Sequence, residues 1–412
     1  MVKIREVFDN SHIAEEDIAD TVQKELSRDA LGGQIKPGMR IAITCGSRGI
    51  HHYQLMARAI VDFVKSKGAE PFIVAAMGSH GGATAEGQTQ ILADYGITEE
   101  NMGCPIKSSM ETVQVGLSGI RKQPVYVDKF AAEADGIILF NRIKPHTSFR
   151  GRYESGLMKM MAIGLGKQHG AESIHHQSPG IMHELVEEYG RTILENCPIL
   201  GGIAIIENAY DETYLIRGLT PDEIITEEPK LRDLSYETIA HLLFDKCDVL
   251  VVDKIGKNIS GDGMDPNISG RFVQPKYCSG GIDAEKVVIL DLTDETHGNA
   301  QGIGLAEVTT RRLFNKMKLE MTYPTGVTNT FLHLMKIPMI MDNDREALQL
   351  ALCCCPDAED QNNMKMIRIP DTMHIEYIEI SEGLLPLAKA NPNIEILSEP
   401  YDLPFDEEGN LF

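Results

Sequence analysis

The chain has 412 residues, with 61 acidic side chains against 39 basic ones and a formal net charge of −22. That balance argues against a nucleic-acid groove or an anionic membrane surface as partner. Eight cysteines without a CxxC pair argue against a zinc ribbon or an iron–sulfur cluster. The N-terminus MVKIREVFDN does not read as a secretory signal, and no apolar run approaches the ~18 residues that span a bilayer. A soluble, cytoplasmic protein with reduced thiols is expected, and the length predicts two large domains.

In chain order, residues 17–31 carry apolar side chains at helical spacing and stop at Gly32-Gly33. After the Pro37-Gly38 turn, MRIAITCGSRG reads as a strand entering a glycine-bearing loop, followed by an amphipathic helix over 53–67. Residues 69–76 form the next strand, opening into Met77-Gly78-Ser79-His80-Gly81-Gly82, and a helix follows over 84–95. A short apolar run at 136–140 and the stretch 199–206 add further strands, whereas 211–235 is polar and acidic, a helix and linker. A second α/β unit is predicted from a helix at 236–246 and a strand at 249–252. It continues with strands at 286–292, 337–341 and 365–369 and a helix at 345–355.

The fold class is therefore α/β, two domains with mainly parallel sheets flanked by helices and the active site in the cleft between them. The expected domains are 1–234 and 235–394, with the tail 395–412 packing back on the first.

Three loops occupy equivalent positions: Cys45-Gly46-Ser47-Arg48, Gly78-Ser79-His80 and Lys144-Pro145-His146. Each puts a basic or nucleophilic side chain at the C-terminal rim of a predicted strand, where open α/β sheets bind ligands. A lone histidine is more often structural than catalytic. His80 and His146 differ from that norm because both sit in permissive loops at strand ends, where paired imidazoles can act as base and acid on opposite sides of one carbon. His175 and His176 are adjacent, so on a helix they diverge by roughly 100° and only one can point at a site. Lys159 lies inside the apolar run LMKMMAIGL; it is either a snorkelling surface lysine or a desolvated amine able to hold an electrophilic cofactor.

Several sharp readings fail. GLGKQHG lacks the glycine and the hydroxyl of a P-loop at Met161 and Gln168, and no GxGxxG, HExxH or GxSxG pattern is in register.

Taken as a set, MGSHGG after one strand, KPH after a later one, a glycine-flanked lysine and a histidine some four turns on resemble the nickel-dependent lactate racemase family. The resemblance implies an isomerase, a racemase or epimerase of 2-hydroxyacids acting by proton-coupled hydride transfer. It also implies nickel held in a pyridinium-3,5-bisthiocarboxylic acid mononucleotide, the nickel-pincer nucleotide, within the N-terminal domain. On this resemblance His80 and His146 are the acid and base, and Lys159 joins the cofactor. Cys45, Gly46, Ser47 and Arg48 hold the nucleotide, and His175 is the protein's nickel ligand. Arg48 lies near the anionic small-molecule substrate; apart from the resemblance, Lys257 or another residue of the loop 254–270 is the candidate for binding the substrate carboxylate.

Two departures concern the pocket. The interval from His146 to Lys159 is longer than in lactate racemases, and the loop 254–270 does not reproduce their lactate-holding stretch. A larger hydroxyacid or a sugar acid is as plausible a substrate as lactate. Arg142, Lys144, Arg150 and Arg152 either add positive charge for such an anion or are merely solvated. The rival readings are a carbonyl enzyme forming a Schiff base through Lys159 and a non-catalytic hydroxyacid-binding protein.

Overall fold

The structure is a computed structural model that describes the backbone of residues 1–412 and every side chain except those of His175, Pro179, Thr328 and Asn329. The chain divides into two compact units, Asp9–Ile239 on one hand and Met1–Phe8 with Ala240–Phe412 on the other. Strand β1 (Val2–Glu6) opens the chain and belongs to the later unit, because its alternate residues Val2 and Ile4 are buried there.

Within Asp9–Ile239 the strands are β2 (Arg40–Cys45), β3 (Glu70–Ala75), β4 (Ile106–Lys107), β5 (Thr112–Leu117), β6 (Pro124–Asp128), β7 (Gly136–Arg142), β8 (Ile199–Glu207) and β9 (Thr213–Leu219). Six of them form a sheet in the order β4-β3-β2-β7-β8-β9, parallel except for β9, while β5 and β6 make a separate hairpin. All nine residues of β8 are buried, as expected of an interior strand covered on both faces.

Side-chain alternation sorts the two faces. Ile41, Ile43 and Cys45 pack with Ile18, Val22, Met56 and Ile60 from helices Glu15–Leu26 and Tyr53–Ser66. Ala42, Ile137 and Leu139 pack with Leu157, Met161, Leu185 and Tyr189 on the other face. From β2 the chain moves outward through β3 and β4, then returns to the other side at β7. The β2–β7 pair is thus the point where strand order reverses, and the crevice beyond the carboxyl ends of such strands is where α/β sheets place ligands. The loops bearing Arg48 and His146 leave from this pair, and the His80 loop leaves from the adjoining β3.

The later unit contains β10 (Lys246–Ile255), β11 (Asp283–Leu292), β12 (Val308–Thr310), β13 (Met339–Met341), β14 (Met366–Ile369), β15 (Tyr377–Ile380) and β16 (Ile394–Ile396). With β1 they form an eight-stranded sheet ordered β13-β12-β11-β10-β14-β15-β1-β16. Pairings are parallel from β13 to β14 and antiparallel beyond.

Three expectations need correction. The helix predicted at 236–246 is Glu228–Thr238, and β10 begins at Lys246. Residues 211–219 contain the strand β9, whose pairing with β8 the polar sequence concealed. The tail 395–412 packs on the later unit. Leu411 donates its N–H to the Asp344 carboxylate at 2.8 Å, and the Arg312 guanidinium lies 4.3 Å from the Phe412 ring. Among the described residues no helix is long and apolar enough to cross a membrane.

Candidate active site

The loop after β2 is shaped by Tyr53, whose hydroxyl accepts from the Gly46 N–H at 2.6 Å and donates to the Gly46 carbonyl at 3.2 Å. Cys45 is sealed in the core, and burial pushes its thiol up to about 12. A contribution of Cys45 to ligand binding would come from its backbone. Ser47 and Arg48 emerge beyond it. The Ser47 hydroxyl is hydrogen-bonded to Nδ1 of His80, which joins the first two rim loops directly.

The His80 loop is fastened from below. Gln88 Nε2 donates to the carbonyls of Gly78 at 2.8 Å and His80 at 3.2 Å. Lys167, fully buried, donates in turn to Gln88 Oε1 at 3.0 Å and to the Ala75 carbonyl, and pairs with Asp128 at 3.2 Å. Gly78 has φ +59 and donates its N–H to the Gly164 carbonyl at 3.1 Å, setting this loop against the segment that follows Lys159.

That segment is helical from Leu157 and widens to π geometry over Met160–Leu165, an irregularity frequent at functional sites. Lys159 sits half-buried at its start. Burial, reinforced by the positive charges of Lys144 and Arg48 and opposed by Glu154, brings its amine down to about 7. A large part of Lys159 is therefore an uncharged nucleophile at neutral pH. The structure thus selects the desolvated amine over the snorkelling surface lysine.

His146 lies in the loop after β7, where Lys144 and Ser155 form an isolated antiparallel bridge. The Ser148 N–H donates to His146 Nδ1 at 3.0 Å, so the neutral ring carries its proton on Nε2. Phe149 stacks on the imidazole at 4.2 Å between centroids, and Lys159 Nζ is 6.0 Å from the same ring. Phe149 thereby links the two groups.

The candidates that meet on this rim are thus Ser47 with His80, Arg48 and Lys144 with Lys159, and His146 with Phe149. His175 closes the helix Lys167–His175, and its side chain lies outside the described residues. Lys257 lies in the later unit on the loop after β10, where Nζ donates to the Gly261 carbonyl at 2.6 Å and to Gln301 Oε1 at 3.1 Å. Two of the four extra cations are internally committed: Arg142 pairs with Glu207 and Arg150 with Glu154. Arg152 is exposed and donates to the Ile225 carbonyl at 3.0 Å.

Glu154 was not legible as a site residue. It is buried, accepts from the His146 N–H at 2.8 Å, and is gripped by Tyr236 and Arg232 from a helix some eighty residues away. A glutamate next to Arg150 and Arg152 reads as surface charge until that helix is placed.

Residues 2–184, which carry Arg48, His80, His146, Lys159 and His175, match the family model of the lactate racemase N-terminal domain. That part of the chain is lactate racemase-like. No curated protein matches the chain. Two solved structures share its fold. The lactate racemase apoprotein from Thermoanaerobacterium thermosaccharolyticum is 14% identical, with a TM-score of 0.53, over 90% of this chain and 99% of its own. A Thermotoga maritima protein is 12% identical, with a TM-score of 0.51, over 89% of this chain and 99% of its own. The two-domain α/β architecture is therefore shared.

Proposed function

We propose that the protein is a racemase or epimerase that inverts the α-carbon of a 2-hydroxyacid, lactate or a larger sugar acid, with a nickel-pincer nucleotide joined to Lys159. The observation that carries this reading is the near-neutral Lys159 amine beside Lys144 and Arg48, on the rim that also bears His80 and His146.

The residues fit the group. An uncharged amine at Lys159 would hold an electrophilic nucleotide, and the two cations beside it suit an anionic one. No cluster of three His, Cys, Asp or Glu side chains that could cage a metal is present among the described residues. On the family resemblance His175 would be the protein's ligand to the nickel, a metal that imidazole suits. When bound, the nucleotide supplies a hydride acceptor, which no protein side chain offers.

The chain's own work is proton transfer and binding. One of His146 and His80, as a neutral imidazole, would take the hydroxyl proton, and the other, as an imidazolium, would return one, with the roles reversed for the opposite enantiomer; Ser148 and Ser47 orient the two rings through Nδ1. Arg48 balances the substrate carboxylate, and Lys257 is the second proposed anion contact. An anionic small molecule is thus the partner, and the cytoplasm is the expected compartment.

Intact mass and elemental analysis of protein made in a host that synthesises the nucleotide test the reading. One nickel per chain and a mass increment on the peptide containing Lys159 are expected; an unmodified, nickel-free protein would overturn it. The depressed Lys159 amine would equally serve a Schiff-base carbonyl enzyme. Borohydride trapping of a keto acid on Lys159 without metal would favour that alternative.

A further inference from the structure

We propose that Glu154 is a positioning residue for His146 and Lys159, anchored by one face of the helix Glu228–Thr238. Glu228, Arg232 and Tyr236 are spaced four residues apart and therefore share a face of that helix. All three reach the same short stretch of chain.

Glu228 accepts from the N–H groups of Leu157 at 3.2 Å and Met158 at 3.2 Å, the first donors of the turn that carries Lys159. A Cβ on Gly156 would collide with that carboxyl group, so only glycine allows the approach. Arg232 donates to the Gly151 carbonyl and lies 3.9 Å from Glu154. The Tyr236 hydroxyl is 2.9 Å from both Glu154 oxygens, and its pKa is raised by burial and then by the Glu154 charge, so it stays a donor.

Glu154 converts this grip into the placement of His146. Its Oε2 accepts from the His146 N–H at 2.8 Å, and it pairs at 3.5 Å with Arg150, which donates to the His146 carbonyl and lies 5.5 Å from the Tyr236 ring. Both main-chain groups of His146 are thus tied to one buried carboxylate. The same charge faces Lys159 from one side, while Lys144 and Arg48 face it with opposite sign. The nine residues 147–155 between His146 and the lysine turn would otherwise be a loop free to move the imidazole. Glu154 closes that loop on a helix outside the matched N-terminal region.

The catalytic consequence rests on the racemase reading, but the placement does not, so the decisive readouts use the full-length protein without nucleotide or nickel. One is the 13C–1H resonance of the His146 ring. The other is the pH midpoint for acylation of Lys159, followed by peptide mass spectrometry. Glu154→Ala should displace the His146 resonance, with Tyr236→Phe displacing it less in the same direction. Glu154→Gln keeps an oxygen for the His146 N–H but removes the charge. It should leave the resonance near its wild-type position while lowering the Lys159 midpoint below about 7.

In nickel- and nucleotide-loaded enzyme, Glu154→Ala should lower kcat ~10- to 100-fold with little change in KM, as expected when a reacting group is misplaced. If Glu154→Ala does not fold, Tyr236→Phe and Glu154→Gln carry the test. Wild-type ring resonance in Tyr236→Phe together with a wild-type Lys159 midpoint in Glu154→Gln would overturn the proposal. Failure of the loaded wild-type protein to invert any hydroxyacid would sink the racemase reading and leave the positioning result intact.

Discussion

Lys159 and Lys167 lie eight residues apart on either side of the backbone break at Gly166-Lys167, both drawn into the protein, and their surroundings assign them opposite work. Lys167 is fully buried, yet its ammonium meets the Asp128 carboxylate, the Ala75 carbonyl and Gln88. Burial lowers the Lys167 pKa and raises that of Asp128, and their mutual attraction opposes both shifts. Burial lowers the Lys159 amine as well, and here the positive charges of Lys144 and Arg48 reinforce it against Glu154, so that it falls to about 7. Depth of burial does not separate a structural lysine from a reactive one; the sign of the neighbouring charge does.

Substitutions should separate the two regions. The largest effects belong to the Lys159 side and are chemical. His80→Ala and His146→Ala should each lower turnover of the loaded enzyme by ~10²- to 10⁴-fold, the usual worth of a positioned acid or base, with the melting temperature unchanged. Retained turnover in both variants would dissolve the acid/base pair.

Next comes the Lys167 side, where the effect is architectural. Lys167→Met strands a buried Asp128 and should cost ~3–5 kcal/mol in urea unfolding, as for other buried pairs broken on one side. Unchanged stability would show that the pair supports nothing. Because Gln88 and Ala75 lose their donor, the His80 loop should also loosen, visible as faster amide exchange at Gly78 and His80.

The sharpest contrast is Lys159→Met. The folded-state pKa of this amine lies below its ordinary 10.5, so the folded state releases its proton earlier than the unfolded state. Wild-type stability should therefore rise between about pH 7 and 10.5. The methionine variant should be the more stable protein below about pH 7 and lose that advantage as pH approaches 10.5. Chemical denaturation across this range checks the sign. A wild-type protein favoured at low pH would mean that Lys159 is paired after all.

Much of the scaffold was legible in the sequence because parallel strands announce themselves. β2, β3, β7 and β8 are near-continuous apolar runs, the first three ending in glycine-bearing loops, and the rim positions of Arg48, His80 and His146 followed from them. The elements that escaped are those whose register depends on distant partners. β1 pairs with β15 and β16 nearly four hundred residues away, and β9 hides in a polar stretch because it is an antiparallel edge. In the site, Lys159 was legible as an anomaly, a cation in an apolar run. The support behind it was not: Glu228, Arg232 and Tyr236 look like ordinary solvated polar positions on an acidic helix. Only their placement against 146–158 reveals three inward contacts. Arg142 and Arg150 show the converse, since charges that suggested an anion site are committed to Glu207 and Glu154.

Configurational inversion of a 2-hydroxyacid is tested most directly by incubating protein verified to carry nickel and the nucleotide with a panel of single-enantiomer 2-hydroxyacids and sugar acids deuterated at the α-carbon. At least one acid should yield its opposite configuration at the α-carbon with the deuterium retained. Verified holoprotein that inverts none of them, or that exchanges the label with solvent, would contradict the racemase reading.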